Sequence, residues 1–323
     1  MLRRRAALAA PFLLPLAARA QAPDWPQRPI RIIVPYPPGG STDVLARAFA
    51  AALPEAFPGA SIVVDNRPGG AAVVGTQAAA QAAPDGYTLC LSTNQTHAAN
   101  PAMIATLAYD PVADFAAVAR LATVHHALVV PASGPARSLE ELASRGRGRG
   151  SLAYASSGAG SASHVIAETF IRRFGLNGTH VPYRGGAQAT TDTIAGQVAF
   201  FVSTWPQVVS LVREGRLRAL GIGAPARLPE APEVPTFAEL GAPYLAVDAW
   251  FGLWAPTRTP AAIVGRLSAA TATLLARPPM VERLQAQGFV AAHLAATEFA
   301  AFQRDEISRW KELVEITGIK LEG

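Results

Sequence analysis

Five segments of the chain combine glycines with hydroxyl, amide or basic side chains, a mixture that suits anion binding. They span residues 35–43, 66–71, 92–97, 156–164 and 182–187. Each follows a short apolar run typical of a strand, and most lead into a helix-like segment. Glycines leave backbone N–H groups uncovered, and a helix N-terminus attracts negative charge. One such loop is equally compatible with a simple tight turn. The set of five predicts a cleft lined by N–H and O–H donors, which suits a carboxylate better than a cation.

Patterns that would indicate catalysis or a cofactor are weak. The nucleophile motif G-x-S-x-G is absent, and Ser161 with His164 has the spacing of local helix capping. Residues 221–226 imitate a dinucleotide fingerprint, but Pro225 excludes the helix that must follow it. We therefore expect no catalytic residues, no cofactor and no metal site. An exported hydrolase or transferase that uses the same cleft remains the alternative.

Two charged residues at the first loop have a structural interpretation. Asp43 and Arg47 lie four residues apart in a predicted helix, which places them on the same face. We predict that they form a salt bridge that shapes the loop before the helix.

The N-terminus has the three-part layout of a secretory signal peptide at residues 1–20. A basic start is followed by a short apolar run and by Ala18-Arg19-Ala20, a small-x-small cleavage pattern. Removing it takes away four arginines and no acid, so the formal net charge falls from +5 to +1. A near-neutral mature chain argues against nucleic-acid binding, and we interpret the Arg-Gly tract at 145–150 as a basic loop. We expect a periplasmic protein exported by either the general or the twin-arginine route.

The elements that position the five loops alternate between strand and helix patterns, which predicts an α/β fold with mainly parallel sheets. Strand patterns occur at 30–34, 62–64, 87–91, 126–130, 152–155, 179–181, 198–202, 217–222 and, as the last strand, 251–255. The helix patterns include 41–53 and 71–83, and the chain ends in helices. The length suits two cores. We place one domain at 23–124 plus 249–323 and the other at 125–248, with a cleft and a hinge between them.

Two tryptophans near predicted strand ends are ambiguous. Trp205 and Trp250 could each stack on a ligand or fill the core. We favour the core for Trp205 and leave Trp250 open.

A series of motifs across nearly the whole mature chain resembles the Bug family, the extracytoplasmic solute receptors of tripartite tricarboxylate transporters. The motifs that carry the resemblance include Trp25-Pro26, Pro38-Gly39-Gly40-Ser41-Thr42-Asp43, Asn66-Arg67-Pro68-Gly69-Gly70, Pro84-Asp85-Gly86-Tyr87, Tyr109-Asp110-Pro111, Ser157-Gly158 with Gly160-Ser161 and His164, Val181-Pro182-Tyr183-Arg184-Gly185, Gly215-Arg216-Leu217 and Trp250-Phe251-Gly252. Their order and number make the resemblance specific.

The resemblance implies a periplasmic binding protein-like fold that closes on a carboxylate. Recognition would rest largely on backbone N–H groups, hydroxyls and water. The ligand-binding residues that we expect are Tyr36, Gly40, Ser41, Thr42, Ser92, Thr93, Ser157, Gly160, Ser161, Ala162, Gly185, Gly186, Ala187, Ser203 and Trp250.

Two departures from the family pattern lie near the expected pocket. Ser203-Thr204-Trp205 stands where many relatives carry an Asp-Asn-like pair, and the loop at 69–73 has less glycine than relatives often show. The ligand class therefore stays open among dicarboxylates, amino acids and aromatic carboxylates. We expect a monomer that passes its ligand to a membrane transporter or to a sensor.

Overall fold

The computed structural model describes residues 25–147 and 151–321, so the predicted signal peptide and part of the Arg-Gly tract lie outside the described residues. The strands are β1 Ile30–Val34, β2 Ile62–Asn66, β3 Thr88–Thr93, β4 Phe115–Val124, β5 His126–Pro131, β6 Leu152–Ser156, β7 Gly178–Pro182, β8 Phe200–Thr204, β9 Leu217–Ile222, β10 Ala249–Pro256 and β11 Val290–Ala295. The α-helices are α1 Ser41–Ala52, α2 Val73–Ala80, α3 Asn100–Met103, α4 Leu139–Gly146, α5 Ala162–Arg173, α6 Gly186–Ile194, α7 Trp205–Arg213, α8 Ala261–Leu275, α9 Pro278–Ala286 and α10 Ala296–Thr317. A single π-helical turn spans Gln95–Ala99.

The strands form two sheets, which confirms the two-domain α/β fold. The first sheet has the strand order β11-β4-β10-β3-β1-β2, and the second has the order β7-β6-β8-β5-β9. The chain passes from the first sheet to the second between β4 and β5, and it returns between β9 and β10. The domain boundaries at about residues 124 and 248 stay a prediction.

Both sheets are mixed, whereas the sequence pattern predicted mainly parallel pairing. Strands β1, β2 and β3 pair in parallel, as do β6, β7 and β8, while β5 and β10 run antiparallel to both of their neighbours. The mixed pairing follows from the direction in which each strand runs relative to the junction between the two sheets. The parallel strands end there and feed the glycine-rich loops, whereas β5 and β10 begin there after the chain has crossed.

The first strand shows why the apolar runs are continuous rather than alternating. Ile30, Ile32 and Val34 pack into the cluster that contains Leu45 and Phe49 of α1, whereas Ile33 packs on the opposite face. A strand that is covered by helices on both faces needs apolar residues at nearly every position.

Three elements differ from the sequence expectations. Helix α2 starts at Val73 rather than at residue 71, because Ala71 and Ala72 adopt left-handed backbone angles of φ 51° and 67°. Strand β4 was not predicted, since its alanine-rich sequence lacks a strong strand pattern. Strand β11 follows the strand that was expected to be the last, and it pairs with β4 through an irregular register.

Across the part of the chain that the structure describes, no helix has the length and apolar character that a membrane crossing requires.

Candidate ligand-binding cavity

A cavity of about 340 Å³ lies where the two sheets meet. Its lining comes from the loops that follow β1 and β3 in the first sheet and β6, β7 and β8 in the second. Eleven of the expected ligand-binding residues line it: Tyr36, Gly40, Ser41, Thr42, Thr93, Ser157, Ser161, Ala162, Gly185, Gly186 and Ala187. The structure thus brings together loops that are separated by up to about 150 residues of sequence, as expected for the carboxyl ends of strands in α/β sheets.

Four helices begin at this cavity. The N-cap residues of α1, α5, α6 and α7 are Gly40, Ser161, Gly185 and Thr204, and all four line the cavity. Only the Ser161 side chain caps its own helix, by accepting a hydrogen bond from the His164 N–H. The first N–H groups of a helix have no partner within it, and the helix dipole makes this end positive. The arrangement is therefore suited to an anion.

The loop between β1 and α1 is held by the predicted charge pair. Arg47 Nε lies 3.0 Å from Asp43 Oδ2, and the Gly39 N–H donates to the same oxygen at 2.9 Å. The Asn66 amide donates to the Tyr36 carbonyl at 3.0 Å and ties the loop to β2. Burial alone would raise the pKa of Asp43, but the hydrogen bonds from Arg47 and Gly39 outweigh it, so the net pKa is lowered. The carboxylate stays charged and fixes the loop, which confirms the structural interpretation.

Hydrogen bonds connect the two sides of the cavity. Ser41 Oγ lies 2.6 Å from Thr204 Oγ1, and Gln95 Nε2 donates to the Ala159 carbonyl at 3.3 Å. On the first side, the Tyr36 hydroxyl lies 2.7 Å from Thr93 Oγ1. Burial raises the pKa of Tyr36, so its hydroxyl remains protonated and is available as a donor.

Two stacked histidines, the buried His164 and the half-buried His180, support the loop after β6. The His164 and His180 rings stack at 3.7 Å, and Ser156 Oγ lies 2.7 Å from His180 Nε2. Burial lowers the pKa of His164 to about 3 and that of His180 to about 4, so both rings are neutral at pH 7. His164 Nδ1 accepts from the Gly160 N–H, and Ser161 contacts only the backbone of His164. The capping interpretation of Ser161 and His164 is confirmed.

Four buried residues form the inner wall of the cavity: His126, Phe201, Ala249 and Phe251. Exposed residues at the mouth include Pro38, Arg184 and Gln188. Within the described ranges 25–147 and 151–321, no aspartate or glutamate lines the cavity. The four strand residues of the inner wall are apolar apart from one imidazole, buried polar residues such as Asn94 and Ser163 line the cavity beside them, and the positive helix ends favour a negative ligand.

A family model for the receptors of tripartite tricarboxylate transporters matches residues 45–319. The chain belongs to this receptor family. It is similar to the protein BugT of Bordetella pertussis, with 37% identity over 95% of this chain and 94% of BugT.

Solved structures give the same relationship. The R. palustris protein Rpa4515, solved with adipate, has a TM-score of 0.88 and 34% identity, over 93% of this chain and 100% of that one. MatC from Rhodopseudomonas palustris, solved with bound malate, has a TM-score of 0.84 and 34% identity, over 90% of this chain and 100% of that one. The periplasmic binding protein BugD has a TM-score of 0.86 and 27% identity, over 93% and 100% of the two chains.

The structure does not bring four of the residues expected in this receptor's site to the cavity. Ser92, Ser203 and Trp250 each lie one position away on a strand from a residue that does line it, namely Thr93, Thr204 and Phe251. Successive side chains of a strand point to opposite faces. Thr93 was expected together with Ser92 and does line the cavity, whereas on β10 the sequence selected Trp250 rather than Phe251.

The contacts of these four residues show what they do instead. Ser92 Oγ lies 2.7 Å from Thr96 Oγ1, and Ser203 Oγ contacts Gln207 at 3.3 Å. Trp250 donates to Glu306 of α10 at 2.7 Å. Gly160 faces the chain's end, where an added Cβ would lie 2.5 Å from Leu321 Cδ1. Trp205 is buried in the core, as predicted.

Sequence reasoning missed the remaining lining residues of the receptor. Asn94, Gln95 and Arg184 belong to loops that were recognised, so a finer reading of those loops would have found them. By contrast, no local signal marks the inner wall. His126 and Phe201 come from paired strands of the second sheet, and Phe251 comes from the first sheet, which meets it at the cavity.

Proposed function

We propose that this receptor is periplasmic, captures a small carboxylate by closure of its two domains, and delivers it to a membrane transporter or to a sensor. The observation that carries the proposal is the convergence of four helix N-termini on one cavity. Such ends combine N–H donors with a positive dipole end, so they bind an anion without a basic side chain. At α7 only the dipole end contributes at the first two positions, because the Trp205 N–H donates to the His125 carbonyl and Pro206 has no N–H.

The chemistry of the cavity supports a small organic acid. A volume of about 340 Å³ is in the range of small-molecule sites. The N–H and O–H donors suit a carboxylate group, and Phe201 and Phe251 suit the carbon chain attached to it. The related structures solved with adipate and malate agree with this ligand class.

Domain closure is supported by the contacts between the two sides. The Ser41–Thr204 and Gln95–Ala159 hydrogen bonds join loops of different sheets. A ligand that touches both sides binds the closed form more tightly, and this difference in affinity drives closure. The two crossings near residues 124 and 248 provide the hinge.

We propose no catalytic activity and a monomeric state for the receptor. A trap of this kind completes its site within one chain, and the histidines beside the loop after β6 are engaged by Ser156 and Gly160. A hydrolase or transferase remains an outcome of the test below, because turnover of the ligand would reveal it directly.

The test compares two substitutions at the first residue of α1. Ser41→Ala removes the hydroxyl, whereas Ser41→Pro removes both the hydroxyl and the backbone N–H. Proline is favoured at this helix position, and the preceding Gly40 has extended backbone angles of φ −79° and ψ 166° that a following proline accepts. The difference between the two variants therefore isolates the N–H donor.

Affinities for malate and adipate are measured by titration calorimetry, and each ligand is recovered for analysis afterwards. We expect Ser41→Pro to bind on the order of tenfold more weakly than Ser41→Ala, as for a hydrogen bond to a charged group. Equal affinities of the two variants would refute binding at the helix end. Chemical change of the recovered ligand would replace the receptor proposal with the enzyme alternative.

A further inference from the structure

His126 supplies the one imidazole in the inner wall of the cavity, within the described part of the chain. The residue is 2% exposed, and its Nδ1 lies 2.8 Å from the Val247 carbonyl oxygen. A carbonyl oxygen only accepts hydrogen bonds. The ring proton of a neutral His126 therefore sits on Nδ1, where the backbone of the second crossing fixes both the tautomer and the orientation of the ring.

The other ring nitrogen is then an acceptor. Burial lowers the pKa of His126 to about 4, against the opposing effects of the Val247 carbonyl and Asp248, so the ring is neutral at pH 7. Among residues 25–147 and 151–321, no donor lies within hydrogen-bond distance of Nε2. Because His126 lines the cavity and its Nδ1 is engaged by Val247, Nε2 is the ring nitrogen that a ligand can reach.

We infer that His126 Nε2 accepts a hydrogen bond from a hydroxyl group of the bound carboxylate, so that the receptor selects hydroxycarboxylates over their deoxy counterparts. The inference rests on the proposed function, and it narrows the ligand class of the same cavity. A deoxy ligand would cover the Nε2 lone pair without giving it a hydrogen-bond partner, which is unfavourable.

The charges around the cavity favour a hydroxyl over an ammonium donor. Four helix N-termini make the surroundings positive, and no acidic side chain in the described ranges lines the cavity to balance an ammonium group. Two acids directly adjoin lining residues along the chain, and both are engaged: Asp43 by Arg47 at 3.0 Å and Asp248 by His125 at 2.8 Å.

A protonated carboxyl group is also a poorer candidate than a hydroxyl group for the donor to Nε2. Carboxylic acids ionise near pH 4, and the positive helix ends favour the ionised form further. A hydroxyl group carries a donor at every pH of interest, and it places no charge beside the imidazole.

The experiment uses matched pairs of ligands with the mature wild-type receptor at pH 7. Titration calorimetry compares each enantiomer of malate with succinate, and each enantiomer of 2-hydroxyadipate with adipate. Aspartate tests the ammonium donor. We expect one hydroxylated acid to bind on the order of tenfold or more tightly than its deoxy partner, and more tightly than aspartate.

A variant and a matched control assign this preference to His126. His126→Phe keeps a ring of similar size but no acceptor, and we expect the preference for the hydroxyl to fall to about twofold or less. His125→Phe changes the neighbouring histidine, whose ring bonds Asp248 rather than lining the cavity, and the preference is expected to remain. If His126→Phe does not fold, ¹⁵N NMR of the wild-type ring decides, because ligand binding must shift the Nε2 resonance.

Three results would overturn the inference. The first is equal affinity for hydroxylated and deoxy acids, which would indicate that water satisfies Nε2. The second is a preference for aspartate, and the third is an Nε2 resonance that does not respond to a bound hydroxy acid. Failure of all five acids to bind would instead contradict the proposed function itself and would remove this inference with it.

Discussion

Trp250 provides a direct test of how the structure divides core residues from site residues. Its indole is 2% exposed, and Nε1 donates to Glu306 Oε2 at 2.7 Å. Glu306 is itself 8% exposed, and its other oxygen lies 3.3 Å from Arg309. We predict that Trp250→Phe destabilises the fold and leaves ligand affinity unchanged.

The size of this effect follows from two contributions. Phenylalanine cannot donate to Glu306, and the loss of a hydrogen bond to a charged group costs roughly 1.5–3 kcal/mol. The smaller ring leaves a cavity on the order of 40 Å³, which adds ~1 kcal/mol at about 24 cal/mol per Å³. Trp250 makes edge-to-face contacts with Phe299 and Phe302 at centroid distances of 5.7 and 5.3 Å, and the new phenyl ring can pack against the same two rings. Together these give a loss of about 3 kcal/mol in the free energy of unfolding.

Urea denaturation measures this loss, and calorimetry with the same ligand measures affinity. Glu306→Gln is the matched control, because it keeps an acceptor for the indole but removes the charge. A double-mutant cycle of the two substitutions should give a coupling energy of about 1 kcal/mol or more. If Trp250→Phe weakens ligand binding tenfold at unchanged stability, Trp250 contacts the ligand, and the assignment of this side chain to the core is wrong.

Three further predictions concern pH, strain and closure. Burial lowers the pKa of His97 to about 3, below its unfolded value of about 6.5. The stability that the neutral ring contributes is therefore complete above pH 6.5 and is lost toward pH 3 at roughly 1.4 kcal/mol per pH unit. Urea midpoints that stay level between pH 7.5 and 4.5 would contradict this prediction. Gly160→Ala should lower the free energy of unfolding by about 1–3 kcal/mol, because Gly160 has φ +76° and the new Cβ would lie 2.5 Å from Leu321 Cδ1. An unchanged urea midpoint would show that the turn tolerates a side chain. Thr204→Val removes the 2.6 Å hydrogen bond to Ser41 across the cavity. It should raise the dissociation constant of the bound acid, measured by calorimetry, about fivefold. An unchanged dissociation constant would mean that closure does not depend on this hydrogen bond.

The parts of this receptor that the sequence determined are those that depend on neighbours along the chain. The strand predicted at 30–34 and the helix predicted from residue 41 agree with β1 and α1 to within a residue, because apolar runs and helix starts are local patterns. The bond between Asp43 and Arg47 was predictable for the same reason, since four residues separate them on one helix. The loops that carry the N-termini of α1, α5 and α6 were found because glycine and hydroxyl residues after strands are also a local signal, whereas the start of α7 was not among the predicted loops.

Only the tertiary structure decided which side chains face the cavity. Strand β10 places Phe251 in the wall and Trp250 in the core, and the local sequence assigns no face to either until the pairing with β3 and β4 is known. The acceptor on His126 likewise depends on a carbonyl 121 residues away along the chain. Period-two alternation fixes which residues share a face but not which face is turned to the ligand, and that choice is made by the packing of helices and by the crossing of the chain between the two sheets.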